Sequence, residues 1–364
     1  MKNNVLKPIF LALLAVFCGG CKSSKENPLL TRLKASVAEG KILYGHQDDL
    51  CYGHNWRATE PGDSLLRSDV FDVTGHYPAV LGLELGELEL GGPLNLDGEP
   101  FEVIRRAAVV HNERGGIVTI SWHPRNPLTG GTAWDVSSDK VVASILPGGE
   151  KEELFKGWLN ALGDFLSGIR TPDGEAIPFI FRPWHEHTGS WFWWGRDLCT
   201  TEEFAALFRL THDYLTLERG LTNIVWSYSP NSGVDAEGYM ERWPGDEYVD
   251  LMGFDAYAFE GPDGPKAGSE RLAETLTEAF KWLPRLGELH GKPIALTETG
   301  FQSIPDPTWW TETIYPAIKD VPIAYLLTWR NAPDDPAHFY APWKGFENAG
   351  DFVEFCNLDK ITLL

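Results

Sequence analysis

Cysteine is scarce in this sequence. Five cysteines occur among 364 residues, and two of them lie within the first 21 positions. The other three, Cys51, Cys199 and Cys356, are widely spaced, odd in number and form no C-x-x-C pair. This count excludes a disulfide framework, because at most one bridge could form. A hydrophobic core must therefore hold the fold together.

Positive charge is also in short supply. Lys and Arg together number 31 against 52 Asp and Glu, which gives a formal net charge of −21. Such an excess of carboxylates repels nucleic acids and anionic lipid surfaces, and it would repel a polyanionic sugar as well. We therefore expect no nucleic-acid partner. Neutral small molecules or neutral polymers are the expected ligands.

Two catalytic motifs are absent. The sequence has no H-E-x-x-H and no G-x-S-x-G, so metal catalysis and a Ser-His-Asp hydrolase are both disfavoured. His185 and His187 are spaced i, i+2 and could chelate zinc only if a third ligand converged on them. We expect neither a catalytic metal nor a cofactor.

A long apolar run occurs at the N-terminus. Two lysines precede IFLALLAVF (9–17), which is too short to span a bilayer as a mature helix, and CGGC (18–21) follows it. This segment resembles a bacterial lipoprotein leader, with residues 1–20 as signal peptide and Cys21 as the acylated first residue. Ordinary secretion with cleavage nearby is the alternative. Both interpretations predict export; the first also predicts a lipid anchor in a bacterial membrane, most simply the outer membrane, on its periplasmic side or at the cell surface.

Eight short apolar runs recur along the rest of the chain. Most are rich in β-branched and aromatic residues and are too brief for helices, so they are predicted to be strands. They are ILYGHQ (42–47), AVLGLEL (79–85), GIVTISWH (116–123), FIFRPWHE (179–186), NIVWSYSP (223–230), VDLMGFDAY (249–257), PIALTETG (293–300) and AYLLTWRN (324–331).

Amphipathic stretches separate several of these runs. Apolar residues recur on one helical face between Leu154 and Ile169, and 202–217 and 270–289 show similar spacing. Alternating strands and helices predict a single-domain (β/α)8 barrel, which we place at 31–364 after a polar tether at 21–30. A doubly wound open sheet is the alternative, but it would use fewer strands and a Gly-rich first turn, which is missing. The protein is expected to be a monomer.

Polar residues end seven of the eight runs. These residues are His46, Glu84, His123, Glu186, Asp255 with Tyr257, Glu298, and Trp329 with Arg330. In a barrel the carboxyl ends of the strands form the rim where chemistry takes place. A single polar residue at a strand end is most simply a buried core side chain whose hydrogen bonds are satisfied. Seven together indicate a shared pocket.

Two glutamates are candidates for catalysis. Glu186 ends the fourth run and Glu298 ends the seventh, so both can face one cavity. Hydrolysis of a glycosidic bond needs two carboxyl groups, about 5–5.5 Å apart when the configuration is retained and about 6.5–9.5 Å apart when it is inverted. Arg182 precedes Glu186 by an even number of residues, so strand alternation places the two side chains on the same face of the strand. Arg182 is therefore a candidate partner for the catalytic carboxylate that has to stay ionised.

A family resemblance supports this interpretation. WHEHTGSWFWWG (184–195), TETG (297–300) and TWRN (328–331) together resemble glycoside hydrolase family 26, whose best-known members are β-mannanases. The similarity extends from YGHQDD (44–49) through all eight predicted strands. The resemblance implies a retaining barrel enzyme in which Glu186 is the acid/base and Glu298 the nucleophile. His185 stands where most related barrel families have Asn.

The resemblance also implies sugar-binding residues. Trp191 matches a tryptophan that lines the sugar cleft, and Trp134, in a long loop, resembles another. His123, Asp255 and Tyr257 match positions that bind the sugar at the point of cleavage or orient the nucleophile; His185, Trp329 and Arg330 complete this set. Core packing is the alternative for each tryptophan, and some of Trp184, Phe192, Trp193 and Trp194 must be core.

The expected function is therefore endo-acting hydrolysis of β-1,4-mannan, including galactomannan and glucomannan, through a covalent glycosyl-enzyme intermediate. Three alternatives within this chemistry stay open: a mixed-linkage β-glucanase, a β-1,3-xylanase and a mannobiose-releasing exo-enzyme. A surface lipoprotein that binds glycans without cleaving them is the alternative from another class. The presence of both glutamates argues against it.

Overall fold

Eight parallel strands form a closed barrel in the computed structural model, which describes residues 27–58 and 65–364. The barrel closes where the first strand pairs with the last, with Leu43 opposite Tyr325. The strands are β1 (Ile42–Gln47), β2 (Val80–Glu84), β3 (Ile117–Trp122), β4 (Phe179–Pro183), β5 (Ile224–Tyr228), β6 (Leu251–Ala258), β7 (Ile294–Phe301) and β8 (Ile323–Thr328). Each lies within or beside one of the eight predicted runs, so the prediction of a (β/α)8 barrel is confirmed.

Helices surround the barrel. They are α1 (Pro28–Ala38), α2 (Asp69–Thr74), α3 (Phe101–Glu113), α4 (Val141–Ile145), α5 (Glu152–Ser167), α6 (Thr201–Asp213), α7 (Ala236–Met240), α8 (Pro265–His290), α9 (Tyr315–Ile318) and α10 (Ala349–Cys356). Each of the three amphipathic stretches predicted to be helical coincides with one, namely α5, α6 and α8. A π-helical turn, Tyr214–Glu218, continues α6. A two-residue strand, Ile361–Thr362, pairs with the start of β1.

Helix α1 packs against the amino-terminal end of the barrel. Its Leu29 and Leu33 are buried in one cluster with apolar residues from all eight strands, among them Leu43 and Tyr325. The last residues of the segment expected to be a tether are thus part of this helix, which Asn27 caps by accepting a hydrogen bond from the backbone N–H of Leu29. Because this end is filled with side chains, the opposite rim is left for ligands.

The predicted leader and Cys21 lie outside the described residues. Within the ranges that the structure describes, no helix is long and apolar enough to cross a membrane. Cys51, Cys199 and Cys356 are free thiols.

Candidate active site

A cavity of about 460 Å³ opens at the carboxyl ends of the strands. Glu186 and Glu298 both line it, together with aromatic and polar side chains from the loops after β3, β4, β6, β7 and β8. The other lining residues are His123, Trp134, His185, Trp191, Phe192, Tyr257, Ala258, Phe259, Gln302, Trp329 and Tyr340. The two candidate carboxylates therefore face one space.

Glu186 sits in a turn rather than on a strand. Strand β4 ends at Pro183, and both Trp184 and Glu186 have left-handed backbones, with φ of +54° and +52°. The prediction of a strand through residue 186 was therefore wrong for its last three residues. Burial of the Trp184 ring stabilises the left-handed conformation of Trp184. The backbone N–H of Glu186 donates to Ser229 O at 2.7 Å, and this hydrogen bond stabilises the left-handed conformation of Glu186.

The environment of Glu186 favours its protonated form. Burial among the rings, followed by repulsion from Glu298 and Asp255, raises the pKa of Glu186 well above its usual value. The indole Nε1–H of Trp191 donates to Glu186 Oε2 at 2.8 Å and opposes this shift. Gly189 permits this contact, because a Cβ there would lie 2.2 Å from the Trp191 ring. The site thus holds a carboxylic acid that can give up a proton.

Glu298, on β7, is held as an acceptor. Its Oε1 accepts a hydrogen bond from Arg182, and its Oε2 accepts one from the Tyr257 hydroxyl at 2.7 Å. The other arm of the Arg182 guanidinium donates to Asp255 Oδ2 at 3.0 Å. Arg182 therefore contacts Glu298, as strand alternation suggested, although Glu186 itself has left the strand.

The carboxylates are close to one another. Oxygen atoms of Glu186, Asp255 and Glu298 all lie within 4.8 Å of each other. This spacing fits the short separation of retaining glycosidases and is too small for the intervening water of an inverting enzyme. Three carboxylates at this distance could also hold a cation, but the Arg182 guanidinium already neutralises two of them.

A chain of hydrogen bonds fixes two histidines beside Glu298. Glu84 Oε2 accepts from His123 Nδ1 at 2.8 Å, and His123 Nε2 is hydrogen-bonded to His185 Nε2 at 3.0 Å. Burial and then the nearby Arg182 hold the pKa of His185 well below its usual value, so its ring is neutral. His185 Nε2 lies 3.9 Å from Glu298 Oε1. The sequence identified Glu84 only as a polar residue at the end of an apolar run, because no sequence pattern shows that its partner is His123.

The aromatic residues divide into two groups. Trp134 and Trp191 are 49% and 42% exposed, and Trp329 is half-buried; all three line the cavity. Trp134 also lies parallel to the His123 ring, with centroids 5.4 Å apart. Trp184, Trp193 and Trp194 are fully buried and pack on one another, whereas the buried Phe192 still contributes to the cavity wall.

Comparison with known proteins identifies this arrangement. A sequence model of glycosyl hydrolase family 26 matches residues 21–292, about three quarters of the chain. The chain belongs to glycosyl hydrolase family 26. The match ends before Glu298, which the structure places opposite Glu186.

Relatives in this family share sequence and structure with the chain. A mannan endo-1,4-β-mannosidase of Bifidobacterium adolescentis is 32% identical over 88% of the chain, and one of Bacillus subtilis strain 168 is 30% identical over 53% of it. The chain spans 33% and 54% of the lengths of these two relatives. A solved family 26 β-mannanase from Bacteroides ovatus is 45% identical, with a TM-score of 0.86 over 92% of this chain and 93% of that one.

Two of the residues predicted to bind the sugar, Asp255 and Arg330, do not line the cavity. Asp255 is buried behind Glu298, where its Oδ1 accepts from the Thr297 hydroxyl at 2.6 Å. Arg330 pairs with Asp97 at 3.0 Å and lies over the Tyr52 ring, 5.9 Å from its centroid. His187 is also separate: its ring packs against Phe204 at 4.1 Å between centroids, so it does not converge with His185 on a metal.

Sequence reasoning missed several residues of the cavity wall. Phe259, Gln302 and Tyr340 lie in the loops after β6, β7 and β8, and none ends a predicted run. The one signal in the sequence was that they follow Tyr257, Glu298 and Arg330 by two, four and ten residues, in loops at the same rim. Gly300 lets Tyr340 reach the site, because a Cβ there would lie 2.3 Å from the tyrosine ring.

Proposed function

We propose that the protein hydrolyses β-1,4-mannosidic bonds with retention of configuration, by attack of Glu298 on the anomeric carbon and proton donation by Glu186. The observation that carries this proposal is the pair of carboxyl groups within 4.8 Å in one cavity, one with a pKa raised by burial and one bound by Arg182 and Tyr257. Retaining glycosidases need this pair of unlike carboxyl groups.

The first step forms a glycosyl-enzyme. A Glu298 oxygen donates its electron pair to the anomeric carbon while the bond to the leaving oxygen breaks, and Glu186 gives its proton to that oxygen. The carbon carries partial positive charge in the transition state. The hydrogen bonds from Arg182 and Tyr257 hold Glu298 in position until the new bond forms.

The second step releases the sugar. Glu186, now ionised, removes a proton from a water that attacks the anomeric carbon from the face just vacated, and Glu298 leaves as a carboxylate. Two inversions give net retention. Neutral His185 lies beside this position, with His123 hydrogen-bonded to it at 3.0 Å, and both rings can form hydrogen bonds with sugar hydroxyls.

Mannan is the proposed substrate, and the proposed mode of action is endo. The relatives from Bifidobacterium adolescentis and Bacillus subtilis are both described as mannan endo-1,4-β-mannosidases. A net charge of −21 and a cleft lined by tryptophans suit a neutral polysaccharide. One relative, 26% identical over 67% of the chain, is described as an endoglucanase from Acetivibrio thermocellus, so mixed-linkage β-glucan is the second candidate.

Glu298→Ala tests the assignment of the nucleophile. It should lower reducing-end release from mannan by about 10⁴-fold or more, because the covalent step is lost, while binding and thermal unfolding stay near wild type. Azide should restore turnover of an activated aryl mannoside and give an α-mannosyl azide. Glu202→Ala, an exposed carboxylate on α6, is the matched control. A Glu298 variant that keeps most of its rate refutes the assignment.

Parallel assays identify the substrate. Mannan, galactomannan, lichenan and β-1,3-xylan are incubated with wild-type protein, and products are followed over time. Early products of mixed length from mannan support endo cleavage, whereas mannobiose alone indicates exo action. Binding without release from any of these glycans would instead support the glycan-binding alternative.

We further propose that the chain is exported and anchored in a membrane by lipid at Cys21, and that it acts as a monomer. The charged start, the apolar run 9–17 and the CGGC sequence support the anchor. A labelled fatty acid should be incorporated into the wild type and not into Cys21→Ser. Equal labelling of both proteins contradicts the anchor. Light scattering of residues 31–364 tests whether the protein is a monomer.

A further inference from the structure

A second pocket adjoins the candidate active site. It has a volume of about 320 Å³, lies between the loops after β6 and β7, and shares Ala258, Phe259 and Gln302 with the cavity that holds the two glutamates. Glu260, Phe301, Ser303 and Pro305 complete its lining. Its volume is at the lower end of the range of about 300–1,000 Å³ for small-molecule sites. A ligand in the active site could therefore extend directly into it.

The chemistry of this pocket suits a neutral sugar. Phe259 is 74% exposed, which leaves an apolar ring facing solvent at the junction of the two pockets. The amide of Gln302 and the carboxylate of Glu260, both on exposed side chains, stand beside it. An aromatic face can cover the C–H face of a pyranose while amide and carboxylate groups bind its hydroxyls.

The loop that carries Phe259 is fastened at its base. The backbone carbonyl of Phe259 accepts a hydrogen bond from Arg271 Nη2 at 3.1 Å. Helix α8 approaches this carbonyl so closely that a Cβ on Gly268 would lie 2.6 Å from it. The exposed ring is therefore presented by an anchored backbone.

The opposite wall of the pocket contains backbone strain. Ser303 and Ile304 have φ of +62° and +45°, which a β-branched residue such as Ile304 rarely adopts. The Ile304 side chain is buried, and the backbone N–H of Ser303 donates to Phe339 O at 2.8 Å. Strain of this kind persists only where the surroundings enforce it, and it is concentrated at ligand sites. Here it turns the chain after β7 so that Gln302 and Ser303 form the wall.

The pocket lies on one side of the catalytic pair. Going round the rim from Glu186 after β4 to Glu298 on β7, the short arc contains β5 and β6, and the long arc contains β8, β1, β2 and β3. His123 and Trp329, which flank the position of the sugar under attack, belong to the long arc. The pocket at β6 and β7 is on the short arc, on the opposite side of the catalytic pair from His123 and Trp329.

We propose that Phe259 and Gln302 form a subsite for a pyranose unit of the linear substrate on the leaving-group side of the cleavage point. This subsite rests on the proposed glycosidase function. A sugar bound there stabilises binding modes in which more units occupy the leaving-group side. It therefore helps to decide which bond of an oligosaccharide is cut.

The positions of cleavage test this subsite. Linear manno-pentaose and manno-hexaose, labelled at the reducing end with ¹⁸O, are hydrolysed by wild type and Phe259→Ala, and the labelled products are sized by mass spectrometry. The variant should cut closer to the reducing end and change the ratio of short to long labelled products by about five- to tenfold. Gln302→Ala should shift the ratio the same way but less, and Phe259→Trp should restore it.

Leu289→Ala is the matched control, because Leu289 is 77% exposed and lies at the end of α8, at the amino-terminal end of the barrel. It should leave the ratio unchanged. If the wild type hydrolyses these oligosaccharides and Phe259→Ala gives the same product ratio, the subsite is overturned but the proposed function is not. If Phe259→Ala instead cuts closer to the non-reducing end, the assignment of the subsite to the leaving-group side is overturned. Absence of hydrolysis by the wild type overturns the proposed function and, with it, the subsite.

Discussion

At the scale of single residues, two glutamates with the same side chain are given opposite roles by their surroundings. Glu186 lies among rings and near other carboxylates, so its pKa is raised well above the usual value by burial and repulsion. Glu298 accepts hydrogen bonds from Arg182 and Tyr257. The charged and hydrogen-bonding neighbours lie on other strands, β6 and β7 for Glu186 and β4 and β6 for Glu298, rather than next to each glutamate in sequence.

Trp191→Phe tests how Glu186 is tuned. In the proposed mechanism the first chemical step needs protonated Glu186, so kcat/KM should fall as pH rises through its pKa. Because the Trp191 N–H stabilises the ionised form, its removal should raise that pKa and move the alkaline limb of the kcat/KM profile to higher pH. Loss of the indole should also lower kcat/KM at the optimum by about five- to tenfold.

Trp134→Phe is the comparison for this variant. Trp134 lines the same cavity and stacks on His123 but makes no hydrogen bond to Glu186 among the described contacts. It should weaken substrate binding without moving the alkaline limb. An alkaline limb that stays in place, or moves to lower pH, in Trp191→Phe contradicts the role of its N–H.

At the scale of elements, the eight strands could be recognised from the sequence because strands of a parallel barrel are buried on both faces. They are therefore short continuous apolar runs, and polar residues mark their exposed carboxyl ends. The end of β4 was placed three residues too late. The left-handed conformation of Trp184 depends on the buried tryptophan cluster, and that of Glu186 on its hydrogen bond to Ser229 O. Periodicity along the sequence does not report such tertiary contacts.

Leu33→Ala tests the part played by α1. Leu33 is fully buried against the amino-terminal end of the barrel, so the truncation should lower the free energy of unfolding by about 2–5 kcal/mol. Specific activity at low temperature should change little, because the site is at the opposite end. Chemical denaturation measures the stability, with Leu217→Ala, a 71% exposed leucine, as control. Equal stabilities of the two variants would show that α1 contributes nothing to the fold.

At the scale of the whole molecule, acidic groups dominate both the surface and part of the interior. Asp48, directly after β1, is fully buried, and its Oδ1 has no hydrogen-bond partner among the described residues. Burial, followed by repulsion from Asp97, raises the pKa of Asp48 from 3.8 to about 8. Folding therefore favours the protonated form of a group that ionises readily in the unfolded chain.

This shift predicts how stability depends on pH. A raised folded-state pKa means that the unfolded chain loses the proton first, so the contribution of Asp48 is complete below pH 3.8 and is lost as pH rises toward 8. Stability should fall between pH 5 and pH 8 by up to about 1.4 kcal/mol per pH unit for this group. Repulsion between carboxylates grows as the chain approaches its net charge of −21, and this repulsion also lowers the free energy of unfolding as pH rises.

Asp48→Asn separates these two effects. Asn can still accept from the Tyr52 hydroxyl, which donates to Asp48 Oδ2 at 2.9 Å, but it cannot ionise. The variant should be more stable than wild type at pH 8 and show a weaker dependence on pH, measured by denaturation at pH 5, 6.5 and 8. An unchanged slope would assign the whole dependence to other carboxylates.

The sequence by itself determined the barrel, the rim on which the site lies and the two glutamates that face each other there. These features follow from local patterns: continuous apolar runs, helical spacing between them and polar residues at strand ends. Only the tertiary structure decided which neighbours raise the pKa of Glu186, the hydrogen-bond chain from Glu84 to His185 and the position of Phe259 in a second pocket. Each of these depends on distances between residues far apart in sequence, and a pattern along one chain carries no such distances.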